Sequence, residues 1–554
     1  MPFPLFVFGS AAIVVSTIAA TILLSRWRLA AVASALVGAT VLLVFHGPVF
    51  FDFYADDAYI TLRYSQHLAD GLGPNWNSVG RVEGYTSFLW MAVLAGIGKL
   101  GFDLVDASRV LSFLALVATF FAVYGIWKLW GDDEEGSGLE SPLLLAAVLL
   151  GLALTDAIGF WGFSGMETPL FMALLTGGAY LYLRERRGGG FPWSAIVFTA
   201  AAMTRPEGLL AVAVTGGFVL AEVVPAADRP RVLRRAAAWG GLFLLLYGSY
   251  FIWRYSYYDY LLPNTAYAKT ELSRAFLNRG LGYITTAGLK YHLPAMFAGT
   301  AILLTKLRLR HDAAYILALT GFLLAGVAFE GGDDFGHGRF IIPVLPLLFL
   351  SGLAGFAVLL KRAALQPMQV ALVASVGLGL AGLSLLPHSH NPFLPRDRQA
   401  REERSDIGAW LTEHTPPDFT IAAYAVGAIS YHAIDRDFLD MLGLNDVTIA
   451  HTEVPNFGAG LLGHEKFNVD YVLDVVRPEI IVPNDAERRP LTEQDLRQRF
   501  SMPSPVGGRT KLLSDPRLWE RYQVRSLNLD GRWFNFLQRR DTVAELQGPG
   551  LLPP

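Results

Sequence analysis

The chain lacks cysteine and has few charged residues for its length. None of its 554 residues is a cysteine, which excludes disulfides, thiolate zinc sites and cysteine nucleophiles. Charged residues make up 17% of the chain, against about 25% in an average soluble domain. Lys and Arg number 45 and Asp and Glu number 48, so there is no basic surplus to neutralise a phosphate backbone. We therefore expect no nucleic-acid partner.

The missing charge is concentrated in long apolar windows. A helix of about 20 apolar residues crosses the roughly 30 Å of membrane hydrocarbon, where ionised groups are costly. The longest charge-free windows are residues 1–25, 29–51, 110–127, 313–329, 340–360 and 363–395. Shorter windows lie at 141–155, 168–183, 188–204, 208–221, 236–253 and 291–305. Together they predict a polytopic α-helical membrane protein with about 11–13 spans.

The basic residues between the windows predict the orientation, because cytoplasmic loops are enriched in Lys and Arg. Basic clusters lie at 26–28, 184–187, 229–235, 306–310 and 361–362. The segments left for the outer face are 52–87, 162–167, 204–208, 254–290, 331–339 and the chain after about residue 387. For all the basic clusters to face the cytoplasm, residues 88–100 must not cross the membrane fully. We expect a multi-pass protein of the cytoplasmic membrane, with the lipid bilayer as a partner.

The chain changes character near residue 387, where long apolar windows give way to charged sequence. Residues 393–415 predict an amphipathic helix with Ile407, Trp410 and Leu411 on one face, ended by Pro416. Short apolar runs at 419–424 and 438–442 predict strands. We therefore predict a transmembrane domain at 1–387 and an extracytoplasmic (periplasmic) α/β domain at 388–554.

Two adjacent carboxylates, Asp56 and Asp57, follow the second window. Crowded carboxylates raise each other's pKa, which suits one of them to general-base catalysis. The alternative is that either residue caps the helix predicted at 58–68, because Asp is a common N-cap.

The outer segments also contain most of the other unusual residues. Convergent ionisable groups beside a bilayer favour a functional site, although each segment alone could be a turn. Four cationic candidates could hold a phosphate together: Arg205, Lys269, His337 and Arg339. His337 with Asp333 and Asp334 leaves a divalent metal open as an alternative, but no second His lies at helical spacing. We otherwise expect no metal and no cofactor.

The order of six short motifs resembles that of the GT-C membrane glycosyltransferases. The motifs are DDAYI, VEGYTSFLW, SGMETPLF, TRPEG, PNTAYAK and GGDDFGHGRF. Within that superfamily the chain resembles the mycobacterial terminal β-(1→2)-arabinofuranosyltransferases and their bacterial relatives, also in the segments AYAVGAISYHAIDRDFLDMLGLNDVTIAH and GHEKF. The resemblance implies a GT-C fold, a polyprenyl-phosphate sugar donor, transfer outside the cytoplasmic membrane, and a catalytic base at Asp56 or Asp57.

The resemblance and the chemistry of the residues lead to one hypothesis for the reaction. Asp56 takes the proton of an acceptor hydroxyl, Asp57 orients Asp56 or the sugar, and the four cations neutralise the departing phosphate. A single displacement predicts inversion at the anomeric carbon. The sugar, best guessed as arabinofuranose, passes to a cell-envelope glycan. The predicted sugar and acceptor contacts are Trp76, Glu83, Tyr85, Glu167, Asn264, Asp333, Asp334 and His464.

Two non-enzymatic classes remain as alternatives. A transporter or flippase of a lipid-linked sugar would need the same grip on phosphate, although a secondary transporter also predicts paired inverted repeats. The outer domain could instead be a binding module that a structural membrane part tethers. Transfer by the purified protein without a gradient separates the enzyme from the transporter.

Overall fold

The computed structural model describes residues 3–133, 138–226, 228–271, 273–333, 335, 337–362, 393–455, 457–458, 460–499 and 507–553. Its residues fall into two compact units, which we call the helical unit and the sheet unit. The helical unit comprises Met1–Phe53, Ser108–Ile252 and Leu277–Asn391, and the sheet unit comprises Tyr54–Ala107, Trp253–Phe276 and Pro392–Pro554. The predicted domain boundary at 387/388 lies outside the described residues. Most of the predicted outer segment 52–87 and the first part of the predicted outer segment 254–290 belong to the same compact unit as the C-terminal region, which includes 54–107 and 253–276.

Sixteen helices precede residue 363 within the described ranges. They are α1 Phe3–Leu23, α2 Arg28–Phe50, α3 Asp56–Ala69, α4 Phe88–Lys99, α5 Leu104–Asp133, α6 Pro142–Leu154, α7 Asp156–Gly162, α8 Thr168–Gly188, α9 Trp193–Thr204, α10 Gly208–Ala221, α11 Arg229–Tyr258, α12 Asn264–Lys269, α13 Arg274–Lys290, α14 Leu293–Leu303, α15 Arg310–Glu330 and α16 Leu345–Arg362.

Several of these helices are long and apolar enough to cross a membrane, so the chain is a multi-pass membrane protein. Among the described residues six helices meet that condition: Leu5–Leu23, Arg28–Phe50, Leu104–Asp133, Arg229–Tyr258, Arg310–Glu330 and Ile342–Lys361. The pair α6 and α7, bent by 61°, makes a possible seventh span. Four more apolar helices are shorter: Phe88–Lys99, Trp193–Thr204, Gly208–Ala221 and Leu293–Leu303. The span count of 11–13 stays a prediction, and the window 363–395 lies almost wholly outside the described residues.

Small residues let the helices of the helical unit approach closely, as is common in membrane proteins. A Cβ added at Gly355 of α16 would lie 1.8 Å from the backbone oxygen of Gly299 in α14. The hydroxyls of Thr300 and Ser351 lie 2.7 Å apart across the same pair of helices. The backbones of α14 and α16 therefore approach closely at these small residues.

The C-terminal part of the sheet unit is α/β, as predicted. Its elements are α17 Phe393–His414, β1 Thr420–Ala423, α18 Gly427–His432, β2 Asp437–Asp440, α19 Val447–Ala450, β3 Ile480–Val482, α20 Glu493–Arg499, α21 Gly507–Ser514, α22 Pro516–Arg521, β4 Tyr522–Leu529 and β5 Arg532–Arg539. The predicted helix at 393–415 and the two predicted strands are confirmed to within two residues at each end.

A five-stranded mixed sheet organises this region, in the order β2-β1-β3-β5-β4. Strand β1 pairs in parallel with β2 and with β3, whereas β5 is antiparallel to both β3 and β4. Both sheet faces are covered, so alternate strand residues pack into two separate cores. The predicted apolar face of α17 is buried in one of these cores, with Leu411 fully enclosed.

Candidate functional site

The Asp56 carboxylate is held by backbone and side-chain donors of the sheet unit. It lies in the first turn of α3, where the N-cap is Ala55 and no side chain caps the helix. Asp56 Oδ2 accepts a hydrogen bond from the Gly427 N–H at 3.0 Å, and Oδ1 accepts one from the Ala428 N–H at 3.1 Å. Arg404 Nη1 lies 3.3 Å from Asp56 Oδ1. The simple capping alternative is therefore wrong for Asp56, whose carboxylate binds residues far away in the sequence.

Asp57 differs from its neighbour although it belongs to the same turn. Its side chain is half-buried, and no hydrogen bond or ion pair joins its carboxylate to any other residue within the described ranges. The carboxylate also makes no capping bond at the start of α3. Of the two predicted catalytic carboxylates, Asp57 is thus the one left available to accept a proton.

Gly427 is required for the contact with Asp56. A Cβ added at Gly427 would lie 1.9 Å from the Asp56 backbone oxygen and 2.8 Å from its carboxyl carbon. No side chain fits at such distances, so glycine alone brings the start of α18 close enough to donate to the carboxylate.

We expect Gly427→Ala to lower the melting temperature of the full chain, because the methyl group overlaps the Asp56 backbone and overpacking costs about 1–3 kcal/mol. Thermal unfolding in detergent measures the effect. Gly96→Ala in α4 is the control, since a Cβ there meets nothing within 4 Å. Equal melting temperatures for the two variants would contradict this description of the contact.

Arg404 is a part of this site that the sequence analysis missed. Its guanidinium donates to Asp485 through Nε at 2.8 Å and Nη2 at 3.1 Å, in addition to its pairing with Asp56. Burial opposes the charge, but Asp56 and Asp485 outweigh it and raise the pKa of Arg404 above its ordinary value. The residue is one of several arginines in α17, so no local pattern distinguishes it.

Glu83 and Arg254 form a buried ion pair in the sheet unit. Arg254 Nε lies 3.0 Å from Glu83 Oε1, and Nη2 lies 2.5 Å from Oε2. Burial raises the pKa of Glu83 to about 7, and Arg254 partly offsets that rise. The neighbouring Tyr85 hydroxyl lies 3.0 Å from the Tyr258 hydroxyl. Both Glu83 and Tyr85 are buried, so these predicted sugar contacts instead join the segment VEGYT to the end of α11.

Trp76 and Asn264 are likewise buried, and they link loop segments to the C-terminal region. The Trp76 indole donates to the Phe438 carbonyl at 2.9 Å, and Trp76 has no exposed surface. Asn264 Nδ2 donates to the carbonyls of Gly443 and Leu444, at 2.8 Å and 3.0 Å. With its surface covered by protein, Trp76 has no ring face on which a sugar could stack.

Lys269 and His464 lie near each other in the sheet unit. A Cβ added at Gly463 would lie 2.9 Å from Lys269 Cε, so the lysine packs against the segment GHEKF. The Lys269 ammonium makes no hydrogen bond or ion pair with any residue in the described part of the chain. Lys269 is thus a predicted phosphate-binding cation that no described carboxylate neutralises.

Arg205 of the helical unit is already neutralised. The motif TRPEG separates α9 from α10, because Pro206 cannot continue a helix. All three guanidinium nitrogens of Arg205 donate to carboxylates, Nη1 to Glu167 at 2.5 Å and Nη2 to Glu207 at 2.6 Å, with Nε also bonded to Glu207. Two carboxylates surround one cation, so this buried group carries surplus negative charge rather than the positive charge a phosphate needs.

Three of the predicted residues of the segment GGDDFGHGR, namely Asp333, His337 and Arg339, lie in the helical unit. Arg339 Nη2 donates to Asp333 Oδ1 at 2.7 Å, and the His337 ring stacks on Phe160 with centroids 4.1 Å apart. Burial lowers the pKa of His337 from its ordinary value, which favours the neutral ring. Asp334 lies outside the described residues. His337 therefore offers a phosphate a hydrogen bond rather than a charge.

Asp156, Lys290 and Tyr291 form a further polar group in the helical unit that the sequence analysis did not identify. Asp156 begins α7, just after the 61° bend. Its carboxylate accepts bonds from Lys290 Nζ at 2.6 Å and from the Tyr291 hydroxyl at 3.0 Å. The sequence held one signal: Asp156 ends the charge-free window 141–155, and Lys290 directly precedes the window 291–305.

A metal site finds no support among the residues that the structure describes. Within those ranges no group of three or more His, Asp or Glu side chains could hold a metal ion. The alternative that combined His337 with Asp333 and Asp334 stays untested, because Asp334 is not among them.

Comparisons with known proteins identify a matching family model and a curated relative. Residues 393–537 match a family described as a domain of unknown function, DUF8728. A terminal β-(1→2)-arabinofuranosyltransferase of Mycobacterium tuberculosis (strain ATCC 25618 / H37Rv) is 31% identical over 255 residues. That match covers 43% of this chain and 38% of the relative, so the chain spans less than half of the relative's length.

Solved structures support the fold. The Archaeoglobus fulgidus oligosaccharyltransferase tethered to an acceptor peptide aligns with a TM-score of 0.52 at 11% identity, over 93% of this chain and 74% of that one. The same enzyme in complex with Zn and sulfate gives a TM-score of 0.51 at 12% identity, over 90% and 72%. The predicted resemblance to the GT-C membrane glycosyltransferases is confirmed, and the fold is of that type.

Proposed function

We propose that the protein transfers a sugar from a polyprenyl-phosphate donor to a glycan acceptor on the outer face of the cytoplasmic membrane. The observation that carries the proposal is the division between two adjacent carboxylates at the start of α3. Asp56 is bound by two backbone N–H groups and Arg404, whereas Asp57 has no partner among the described residues. A fixed carboxylate beside an available one suits a reaction that begins by removing a proton.

In this proposal Asp57 is the general base and Asp56 positions it. The Asp56 carboxylate, held by two backbone N–H groups and a guanidinium, has fewer lone pairs left for a substrate proton. Asp57 is half-buried and meets no competing donor, so its lone pairs remain for an acceptor hydroxyl. The roles are the reverse of those in the first hypothesis. Direct attack of the activated hydroxyl predicts inversion at the anomeric carbon.

The donor phosphate needs positive charge or hydrogen-bond donors that are not already committed. Lys269 meets this condition best, because no carboxylate pairs with it within the described ranges. We assign phosphate binding to Lys269, which lies in the same unit as Asp57, and a structural role to Arg205.

The sugar is proposed to be arabinofuranose, and the acceptor a cell-envelope glycan. The support is the curated relative, which is named for terminal β-(1→2)-arabinofuranosyl transfer and is 31% identical over 255 residues. The apolar helices of the chain suit a donor whose polyprenyl chain stays in the bilayer.

Transfer by the purified full chain in proteoliposomes tests this function. The vesicles would receive polyprenyl-phosphate arabinofuranose and an arabinan oligosaccharide, with polyprenyl-phosphate mannose as the matched donor. We expect a product heavier by one pentose by mass spectrometry, together with free polyprenyl phosphate. Movement of the intact lipid across the bilayer, without product from either donor, would instead identify a flippase and overturn the proposal.

A further inference from the structure

The sheet of the C-terminal region has a topological switch point. From β1 the chain crosses to β2 on one side, and later returns to β3 on the other side of β1. The loops that leave the carboxyl ends of β1 and β3 therefore turn away from each other and open a crevice. In open α/β sheets, ligands bind in this crevice.

A cavity occupies this position in the sheet unit. Its wall includes the residues that follow β1, beginning at Tyr424, and those that follow β3, including Asn484 and Asp485. Arg404 and Arg509 contribute polar groups to the wall, and Phe534 contributes an apolar surface. Its volume of about 40 Å³ exceeds the roughly 10–15 Å³ that one water needs, so it takes a few hydroxyl-sized groups rather than a whole sugar ring.

The groups around the cavity suit a ligand that both donates and accepts hydrogen bonds. Asn484 Oδ1 is a buried acceptor with no hydrogen-bond partner among the described residues, so a ligand group that donates a hydrogen bond would satisfy it. The Arg509 guanidinium lies 5.0 Å from the centre of the Tyr424 ring and supplies N–H donors. Glu403 and Asp485 balance the charges of Arg404 and Arg509 in the lining, so the cavity offers an anion no net positive charge. Sugar hydroxyls satisfy all of these conditions, and a phosphate does not.

Arg404 connects the cavity to the proposed catalytic carboxylates. It forms a bidentate bond with Asp485 in the cavity wall and also pairs with Asp56. A group held in the cavity therefore lies one residue away from the carboxylate that we propose positions Asp57. Since a general base must reach the hydroxyl that attacks, this neighbourhood suits the acceptor rather than the donor.

We propose that this switch-point cavity binds one hydroxylated edge of a sugar in the acceptor glycan, and so determines acceptor specificity. The identification of this ligand as the acceptor of the reaction rests on the proposed function. The ligand class, a neutral saccharide, rests on the cavity itself. The cavity residues bind and position the acceptor sugar, and Asp57 accepts its proton.

The test compares Arg509→Met and Asn484→Ala with the wild-type full chain in the transfer assay. We expect each variant to raise the KM for the oligosaccharide acceptor about tenfold, the usual effect of losing one good hydrogen bond, while the KM for the lipid donor stays unchanged. Arg497→Met is the matched control, because Arg497 lies on α20 and pairs with Glu493 away from the cavity. Unchanged acceptor KM values in both cavity variants would overturn the proposal.

A binding measurement separates failure of this proposal from failure of the proposed function. Titration of an arabinan oligosaccharide into the detergent-purified full chain should give saturable binding that Arg509→Met weakens about tenfold and Arg497→Met does not. If the wild type binds the oligosaccharide in this way but transfers nothing, the cavity is a saccharide site and only the enzymatic function fails. If the wild type transfers sugar and the variants bind as well as it does, only the cavity proposal fails.

Discussion

Asp57→Asn should abolish most sugar transfer while the protein remains folded. Removing a general base costs about 10²–10⁴-fold in rate, because the acceptor hydroxyl must then attack with its proton in place. The change should leave the melting temperature close to that of the wild type, since the Asp57 carboxylate bonds to no described residue. Turnover in proteoliposomes and thermal unfolding in detergent measure the two effects on the same preparation.

Two variants control for this substitution. Asp70→Asn removes an exposed carboxylate just after the same helix and should retain full activity, because Gln66, at 3.0 Å, is the only described side chain to which Asp70 bonds. Asp57→Glu keeps the base but moves it by one methylene, so it should recover part of the rate that Asp57→Asn loses. An Asp57→Asn enzyme with wild-type turnover would refute the assignment of the base.

Arg205→Met should strongly destabilise the helical unit. The substitution keeps much of the side-chain volume but leaves Glu167 and Glu207 buried without their cation. Breaking a buried ion pair in this way costs about 3–5 kcal/mol, because an uncompensated charge remains in a low-dielectric environment. We expect a large fall in melting temperature and in the yield of monodisperse protein after heating.

Neutralising the whole group should reverse much of this loss. In the triple variant Glu167→Gln, Arg205→Met, Glu207→Gln no buried charge remains from these residues, and such replacements are often close to neutral. Arg229→Met is the single-site control, since Arg229 is exposed and such a surface change costs at most about 0.5 kcal/mol. If Arg205→Met and the Arg229→Met control have the same melting temperature, the ion-pair group does not stabilise the fold.

The sequence predicts those parts of the fold that local patterns determine. Apolar windows without charge give the membrane helices, because the cost of burying charge in hydrocarbon acts on each segment separately. The three-to-four-residue spacing of Ile407, Trp410 and Leu411 gives the face of α17, and Pro416 gives its end. The motifs also draw attention to Asp56, Arg205 and Arg339, each of which has a charged partner in the structure.

The sequence does not predict which partner each charged residue binds. Asp56 meets Gly427 and Arg404, which are more than 300 positions away, and no local pattern links either residue to Asp56. Arg205 looks like a phosphate ligand until its two carboxylates are placed around it. Trp76 looks like a sugar platform, but packing against the C-terminal sheet buries it completely. These outcomes depend on long-range packing, which a local pattern does not encode.

The different roles of Asp56 and Asp57 are the centre of this account, and single-turnover rates of the two Asn variants test it most directly. With donor and acceptor saturating, we predict that Asp57→Asn transfers sugar at least about tenfold more slowly than Asp56→Asn, as expected if the base contributes 10²–10⁴-fold. Asp56→Asn should show the lower melting temperature, because its contacts with Gly427 and Arg404 weaken. The reverse order of rates, with Asp56→Asn the slower enzyme, would contradict the account.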